Sequence, residues 1–261
     1  MINEQFGGTT WLRQDGHVAV IEFERPPHNF VSVELITDIA NALDAADEAR
    51  DIRSSVLCSV GKSFSAGADL ASPTGVAGQG MQGIGPLYEQ AVRLFSAKKP
   101  IIAAVQGAAI GAGLGLALVA DFRVAAPEAR FAANFVKLGF HPGFGITHTL
   151  PRVVGEQRAA LMCLTGRRIK GEEALAWGLA DEVAPLDQVG QTALRLAREI
   201  AEAAPLAVVS TRATMRGELA RAVRDQTAVE LKEQSWLRQT ADFAEGVKSV
   251  NERRAGVFTG A

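Results

Sequence analysis

The stretch Lys99–Val124, KPIIAAVQGAAIGAGLGLALVADFRV, decides how the fold is interpreted. The apolar run Ile101–Val105 predicts a buried strand, and Leu114–Ala120 predicts a buried helix. Between them lies Gly111-Ala112-Gly113, a turn of small residues at which a ligand oxygen can come close to the backbone. A helix that begins there directs unpaired N–H groups and the positive end of its dipole at that ligand. The stretch therefore predicts a backbone site for an anion or an oxyanion.

Two other interpretations of these glycines stay open at this point. Gly111, Gly113 and Gly115 would also let a buried helix pack tightly against its neighbours. A strand, glycines and a helix in that order also occur in dinucleotide-binding sites. The spacing here is G-x-G-x-G rather than G-x-G-x-x-G and it falls in mid-chain, which disfavours a nucleotide.

Composition restricts the class of protein. The chain has 261 residues, 48% of them hydrophobic, with 26 glycines and one tyrosine, which suits a compact α/β enzyme. Its 27 basic and 29 acidic residues give a formal net charge of −2, so neither nucleic acid nor a membrane surface is expected as a partner. No apolar run reaches the ~18 residues that a membrane span requires, and no signal peptide is predicted.

The cysteines and histidines indicate a reducing environment and no metal. Cys58 and Cys163 lie in apolar surroundings, which predicts reduced core thiols and a cytoplasmic protein. The histidines are scattered, without an i, i+4 pair or a neighbouring carboxylate cluster, so no metal site is predicted.

Along the chain, alternating strands and helices give way to a wholly helical tail. A helix capped by Ser32 and a mobile loop or lid over residues 71–86, which hold five glycines and two prolines, are predicted before the central stretch. Residues 131–138 are expected to be short and extended. Helices alone are predicted after Asp187, over 187–204, 205–219, 221–238 and 242–253. The order suggests stacked ββα turns, with a tail whose apolar residues, such as Leu194, Leu196 and Ile200, need a partner surface.

Two segments carry a family resemblance. Gly61–Leu70, GKSFSAGADL, resembles the G-K-x-F-x-A-G-A-D-[IL] segment of the crotonase (enoyl-CoA hydratase/isomerase) superfamily. Lys99–Asp121 resembles that family's KPxIAAVxGxAxGGGxxLAxxxD. The resemblance implies an α/β fold, a crotonase-like spiral of ββα turns over residues 1–186 with a C-terminal helical trimerisation region over 187–261. It also implies a homotrimer or homohexamer that acts on an acyl-CoA thioester, with coenzyme A as part of the substrate and no other cofactor.

The resemblance assigns roles to individual residues. The backbone N–H groups of Ala68 and Ala112 would form an oxyanion hole that polarises the thioester carbonyl. The residues expected along the adenine and pantetheine path are Ala66, Ala68, Asp69 and Leu70. The candidates for phosphate contacts are Lys62, Arg253 and Arg254, although exposed basic residues are often only solvated.

The sequence departs from the family at its acid–base positions. Hydratases carry one glutamate on the central helix and one in the following extended segment, where this chain has Gly115 and Phe135. Some members carry a catalytic aspartate eight residues further on, where this chain has Gly143. His141 is the candidate replacement because an imidazole can transfer protons near neutral pH. The alternative is that its ring bonds a local carbonyl and fixes the turn at Pro142.

Three functions fit these residues. The first is a lyase or isomerase of this family, with the enolate held by Ala68 and Ala112 and an unusual group for proton transfer. The second is an enzyme that hydrates poorly and catalyses another thioester reaction, such as hydrolysis or decarboxylation. The third is a non-catalytic CoA-thioester binder or scaffold subunit. The oxyanion motif favours catalysis, and the acyl group stays open.

Overall fold

The computed structural model describes residues 2–69 and 81–261, which form strands and helices in an alternating order. The strands in these ranges are β1 (Asn3–Phe6), β2 (Thr10–Asp15), β3 (Val18–Phe23), β4 (Ser54–Ser59), β5 (Ser63–Ser65), β6 (Ile101–Val105), β7 (Ala108–Ile110), β8 (Phe122–Ala125), β9 (Arg130–Ala132), β10 (Ile169–Lys170) and β11 (Glu182–Val183). The helices are α1 (Val33–Glu48), α2 (Met81–Phe95), α3 (Ala112–Val119), α4 (Ile146–Val154), α5 (Glu156–Thr165), α6 (Gly171–Trp177), α7 (Val189–Ala201), α8 (Pro205–Arg216), α9 (Leu219–Leu237) and α10 (Ala241–Asn251).

The strands build two sheets, and consecutive strands divide between them. The larger sheet has the order β1-β2-β3-β4-β6-β8-β11, and the smaller has the order β10-β9-β7-β5. Of each consecutive pair β4/β5, β6/β7 and β8/β9, the first strand joins the larger sheet and the second joins the smaller one. In the larger sheet, neighbouring strands from β3 to β11 pair in parallel. In the smaller sheet, β7 pairs in parallel with both β5 and β9. The predicted α/β spiral of ββα turns is therefore confirmed.

The central stretch folds as its pattern predicts, with one strand added. β6 is completely buried because it lies inside the larger sheet with α7 packed on it, and every residue of α3 is buried because α3 packs on β5, β7 and α4. The strand β7 was not predicted, since three small residues carry no periodic signal. Gly107 allows the chain to turn from β6 into β7, because a Cβ there would lie 1.9 Å from the carbonyl oxygen of Lys62.

Asp121, directly after α3, joins the sheet to a helix of the tail. Its carboxylate accepts the backbone N–H of Ile101 over 2.9 Å, Nε of Arg212 over 2.8 Å and a guanidinium nitrogen of Arg216 over 3.1 Å. Both arginines belong to α8 and are largely buried, so these bonds fix α8 against the start of β6. A buried charge that lost this partner would be costly, which makes Asp121 a structural residue.

Three predictions about local structure are wrong, each for a packing reason. Residues 134–138 form a 3-10 helix rather than an extended segment, which turns Phe135 and Leu138 to the interior together. Residues 81–86 belong to α2, and the rest of the predicted loop, 71–80, lies outside the described residues. Leu194 is buried, and Leu196 and Ile200 pack on the same core, so they need no partner chain. The reason is that α7 packs on β4 and β6.

Candidate active site

Two backbone segments approach each other closely where β5 ends and α3 begins. A Cβ on Gly67 would lie 2.6 Å from the carbonyl oxygen of Ile110, and one on Gly113 would lie 2.2 Å from that of Ser65. Gly67 also has φ +88°, a conformation that side chains rarely adopt. Only glycine fits at either position, and the contact brings the turn that contains Ala68 beside Ala112.

The N-terminus of α3 presents backbone donors at this contact. Ala112 is the first residue of the helix, and Gly111 before it has φ +55° and offers no capping side chain. The first bond within the helix runs from the N–H of Gly115 to the oxygen of Gly111 over 3.1 Å. The N–H of Ala112 therefore has no acceptor within the helix.

A cavity of about 600 Å³ opens onto this contact. Ala66, Ala68, Asp69 and Ala112, all predicted site residues, line it, and so does Arg253. Lys62 and His141 are not among its described lining residues. Leu70, the remaining predicted residue, lies outside the described part of the chain.

Aromatic side chains occupy the space next to the expected acid–base positions. A Cβ at Gly115 would lie 2.6 Å from Cδ1 of Phe144, which is fully buried and has φ +64°, an unusual backbone conformation for a bulky residue. A Cβ at Gly143 would lie 1.8 Å from the hydroxyl of Tyr88. Phe135 lines the cavity directly, 3.6 Å from the Cβ position of Gly111. The glycines and these rings fit one another, so a side chain cannot be added at either glycine without displacing a ring.

His141 makes the local contact that was the alternative to a catalytic role. Its Nδ1 lies 2.8 Å from the carbonyl oxygen of Pro142, and its own carbonyl oxygen accepts Nε2 of Gln234 over 2.8 Å. These bonds hold the turn between the 3-10 helix and α4 against α9. The catalytic role of His141 stays a prediction that this geometry does not favour.

The titratable groups in the described cavity wall differ from those expected in a hydratase. One carboxylate, Asp69, lies among them; the others are His28, Tyr88, Arg130, Arg168, Arg238 and Arg253. Burial, followed by the charge of Glu230, raises the pKa of Tyr88 above its ordinary value of 10.0. Burial lowers the pKa of Arg238, whose guanidinium stacks on Phe140 and Phe243. The sequence did not predict that Tyr88 lines the cavity. The one available signal was that Tyr88 is the single tyrosine of the chain.

Glu230 on α9 is a buried carboxylate with a structural role. It accepts the backbone N–H groups of Gly145 over 2.7 Å and Thr147 over 3.1 Å, and also the Thr147 hydroxyl. It thus caps the N-terminus of α4 from a distant part of the chain. Burial raises its pKa, while these hydrogen bonds act in the opposite direction.

Residues 2–69 and 81–261 contain neither a candidate metal-binding cluster nor a candidate membrane-spanning helix. Within them, no group of three or more histidine, cysteine or acidic side chains could hold a metal ion. In the same ranges, no helix is long and apolar enough to cross a membrane.

Comparison with known proteins gives consistent results. The sequence profile of the enoyl-CoA hydratase/isomerase family matches residues 13–261. A probable enoyl-CoA hydratase of Mycobacterium tuberculosis is 42% identical over 207 residues, which cover 78% of this chain and 80% of that protein. The 1,2-epoxyphenylacetyl-CoA isomerase of Escherichia coli is 32% identical over 249 residues, or 93% and 95% of the two chains. The crystal structure of an enoyl-CoA hydratase/isomerase from Pseudoalteromonas atlantica superposes with a TM-score of 0.84 at 28% identity, covering 96% of this chain and 100% of the other.

The contact between Gly115 and Phe144 predicts that a side chain added at residue 115 destabilises the fold. Gly115→Ala should lower the free energy of unfolding by about 1–3 kcal/mol because its Cβ would overlap the Phe144 ring. The matched control is Gly190→Ala, also in a helix, where a Cβ meets nothing within 4 Å and should be neutral or stabilising. Urea unfolding at one fixed protein concentration measures both.

A double-mutant cycle checks the cause of that cost. Phe144→Ala removes Cγ and Cδ1, which lie 2.9 Å and 2.6 Å from the Cβ position of Gly115, so Gly115→Ala should cost less in the Phe144→Ala background than in the wild type. Equal costs in the two backgrounds would show that the ring is not what opposes the added methyl group.

Proposed function

The chain belongs to the enoyl-CoA hydratase/isomerase family, and on that premise we propose that it binds an acyl-CoA thioester with the carbonyl oxygen between the N–H groups of Ala68 and Ala112. The observation that carries this proposal is the close contact of the two turns, which brings both residues to one cavity wall. Ala112 contributes a helix N-terminus as well as an N–H group, so a negative charge is favoured there.

The chemistry follows from what such a pair of donors can do. As a thioester loses its α-proton or accepts a nucleophile, negative charge moves onto the carbonyl oxygen. Two fixed N–H groups in a largely apolar cavity stabilise that charge without having to reorganise. Ala66 and Asp69 would lie along the pantetheine and adenine path, and Arg253 at the cavity wall would contact a phosphate.

Proton transfer is the part of a hydratase reaction that this cavity serves poorly. Water addition needs one group to deprotonate water and another to protonate the α-carbon. The positions that resemble the family's acid–base sites are Gly115, Phe135 and Gly143, and rings fill the space beside the glycines. We therefore propose an enzyme of thioester enolate chemistry that is not an efficient hydratase.

A second candidate is decarboxylation or hydrolysis of the thioester. Loss of CO₂ from an acyl-CoA that carries a carboxylate on its α-carbon generates the enolate directly, so it needs the oxyanion hole but no base to remove an α-proton. The scarcity of carboxylates in the described cavity wall favours decarboxylation over hydration, whereas hydrolysis still needs a group to activate water. A non-catalytic thioester-binding subunit would share the binding step, and mass-spectrometric product analysis with a panel of acyl-CoA esters distinguishes the three.

Ala112→Pro tests the oxyanion hole directly. Proline removes the N–H, and the first position of a helix accepts proline without loss of a helical hydrogen bond. Turnover of the true substrate should fall about 10²- to 10³-fold. The matched control is Ala241→Pro, the same substitution at the first position of α10. The residue before it, Thr240, is extended and so accepts a following proline, and this variant should retain activity. A folded Ala112→Pro protein with wild-type kcat would rule the site out.

Hydration of crotonyl-CoA tests the proposed lack of acid–base groups. Because each positioned group is worth roughly 10²- to 10⁴-fold, the rate should lie that far or further below that of a family member with both glutamates. His141→Ala should leave the residual rate within a few-fold, since the ring bonds a local carbonyl. Ordinary hydratase rates on crotonyl-CoA or a longer enoyl-CoA would contradict the proposal, and a large loss in His141→Ala would restore the imidazole as the catalytic group.

The helical tail is proposed to form a homotrimer, or a homohexamer made of two trimers. Large apolar side chains on α8 and α9 are exposed in the single chain, including Leu206 at 86%, Met215 at 78% and Trp236 at 54%. Covering them would remove apolar surface from water. Sedimentation velocity at micromolar concentration should give the mass of three or six chains, and a monomer would contradict the proposal.

A further inference from the structure

Tyr88 brings a phenol group to the cavity wall from α2. The side chain is 7% exposed and lines the same cavity as Ala68 and Ala112. Its hydroxyl donates to Oε1 of Gln234 on α9 over 3.1 Å, and it lies against Gly143, in the turn before α4. The phenol is thus held by two elements that are distant in sequence.

Gln234 also lines the cavity, and its amide is fixed in one orientation. Its Nε2 donates to the carbonyl oxygen of His141 over 2.8 Å. Because a carbonyl can only accept, the NH₂ end of the amide faces His141 and Oε1 faces Tyr88. The local role of His141 is therefore part of how this pair is positioned.

Because Gly143 has no side chain, there is space beside it for Tyr88 and Gln234. A Cβ at this position would lie 1.8 Å from the Tyr88 oxygen and 2.6 Å from Nε2 of Gln234. Any larger residue would displace both side chains. The Tyr88 phenol can therefore occupy this position only because residue 143 has no side chain.

The pair offers one hydrogen-bond donor and one acceptor. Its O–H···O distance of 3.1 Å is longer than the usual value of about 2.7–2.8 Å, so the bond is open to replacement. Burial raises the pKa of Tyr88, which keeps the phenol protonated as a donor at ordinary pH. A hydroxyl group can accept from Tyr88 and donate to Gln234 at once, whereas a methylene can do neither and a carbonyl can only accept.

The pair lies within reach of the acyl chain of a thioester bound at α3. Phe144 contacts Gly115, and its chain neighbour Gly143 lies against the Tyr88 hydroxyl. Gly115 is three residues after Ala112, which corresponds to about 4.5 Å along the helix axis. Substituents a few atoms from the thioester carbon can therefore meet the phenol.

We propose that Tyr88 and Gln234 form a specificity pocket for a hydroxyl group on the acyl chain, which accepts from Tyr88 and donates to Gln234. The proposal rests on the proposed function, because it needs an acyl-CoA thioester in this cavity. It adds to that function the class of acyl group, a hydroxylated one.

Isothermal titration with matched ligands tests the proposal. The probes are butyryl-CoA and its 2-, 3- and 4-hydroxy derivatives, which differ in the hydroxyl group alone. At least one hydroxy derivative should bind the wild type about tenfold more tightly than butyryl-CoA, because two hydrogen bonds form and the one between Tyr88 and Gln234 is broken, a net gain of one. Tyr88→Phe keeps the ring and should abolish this preference, so that no hydroxy derivative binds this variant more tightly than butyryl-CoA does.

A control and a second variant complete the experiment. Thr227→Val also removes a buried hydroxyl from the chain, but that hydroxyl donates to the Arg224 carbonyl and does not belong to the described cavity lining, so the preference should persist. Gln234→Met removes the acceptor, so it should abolish the preference for a hydroxy derivative as Tyr88→Phe does. If Tyr88→Phe does not fold, Gln234→Met tests the hydroxyl pocket in its place.

The possible failures are distinguishable. A wild type that binds none of the four esters overturns both the proposed function and the hydroxyl pocket. A wild type that binds butyryl-CoA but prefers no hydroxy derivative overturns the pocket alone. Persistence of the preference in a folded Tyr88→Phe or Gln234→Met protein does the same.

Discussion

The rest of the structure depends on one backbone-to-backbone contact, between the end of β5 and the start of α3. Gly67 and Gly113 lie so close to the carbonyl groups of Ile110 and Ser65 that no side chain fits at either position. Without this contact the turn after β5 and the N-terminus of α3 would be separate features of two different ββα turns. With it, Ala68 and Ala112 share one cavity wall, which is the arrangement that the proposed carbonyl site requires.

The spiral of strand pairs explains why this contact exists. Each consecutive pair contributes one strand to each sheet, so β5, β7 and β9 become neighbours although they are far apart in sequence. The segments that leave them are then stacked at one edge of the smaller sheet. The wall of the cavity combines small residues at this contact with larger side chains, some of which reach it from α2, the 3-10 helix and α9.

Some of those larger side chains pack against Gly115 and Gly143, the glycines at positions where the resemblance leads us to expect acid–base residues. Phe144 covers Gly115, and Tyr88 with Gln234 takes the space beside Gly143. Each ring fits because a glycine faces it, and each glycine is required because a ring faces it. A carboxylate introduced at either glycine would meet a filled space, so the neighbouring side chains would have to move to make room for it.

The sequence by itself determined the elements and the glycine turn. β6, α3, the Ser32 cap of α1 and the order of the tail helices all follow from local periodicity and capping, which act over a few residues. The two motifs also singled out Ala68 and Ala112. The tertiary structure alone decided three features: the packing of α7 on its own sheet, the 3-10 helix over residues 134–138, and the hydrogen bond between Tyr88 and Gln234. The physical reason is distance along the chain: Tyr88 and Gln234 are 146 residues apart, and no local pattern records which distant side chain will fill the space beside a glycine.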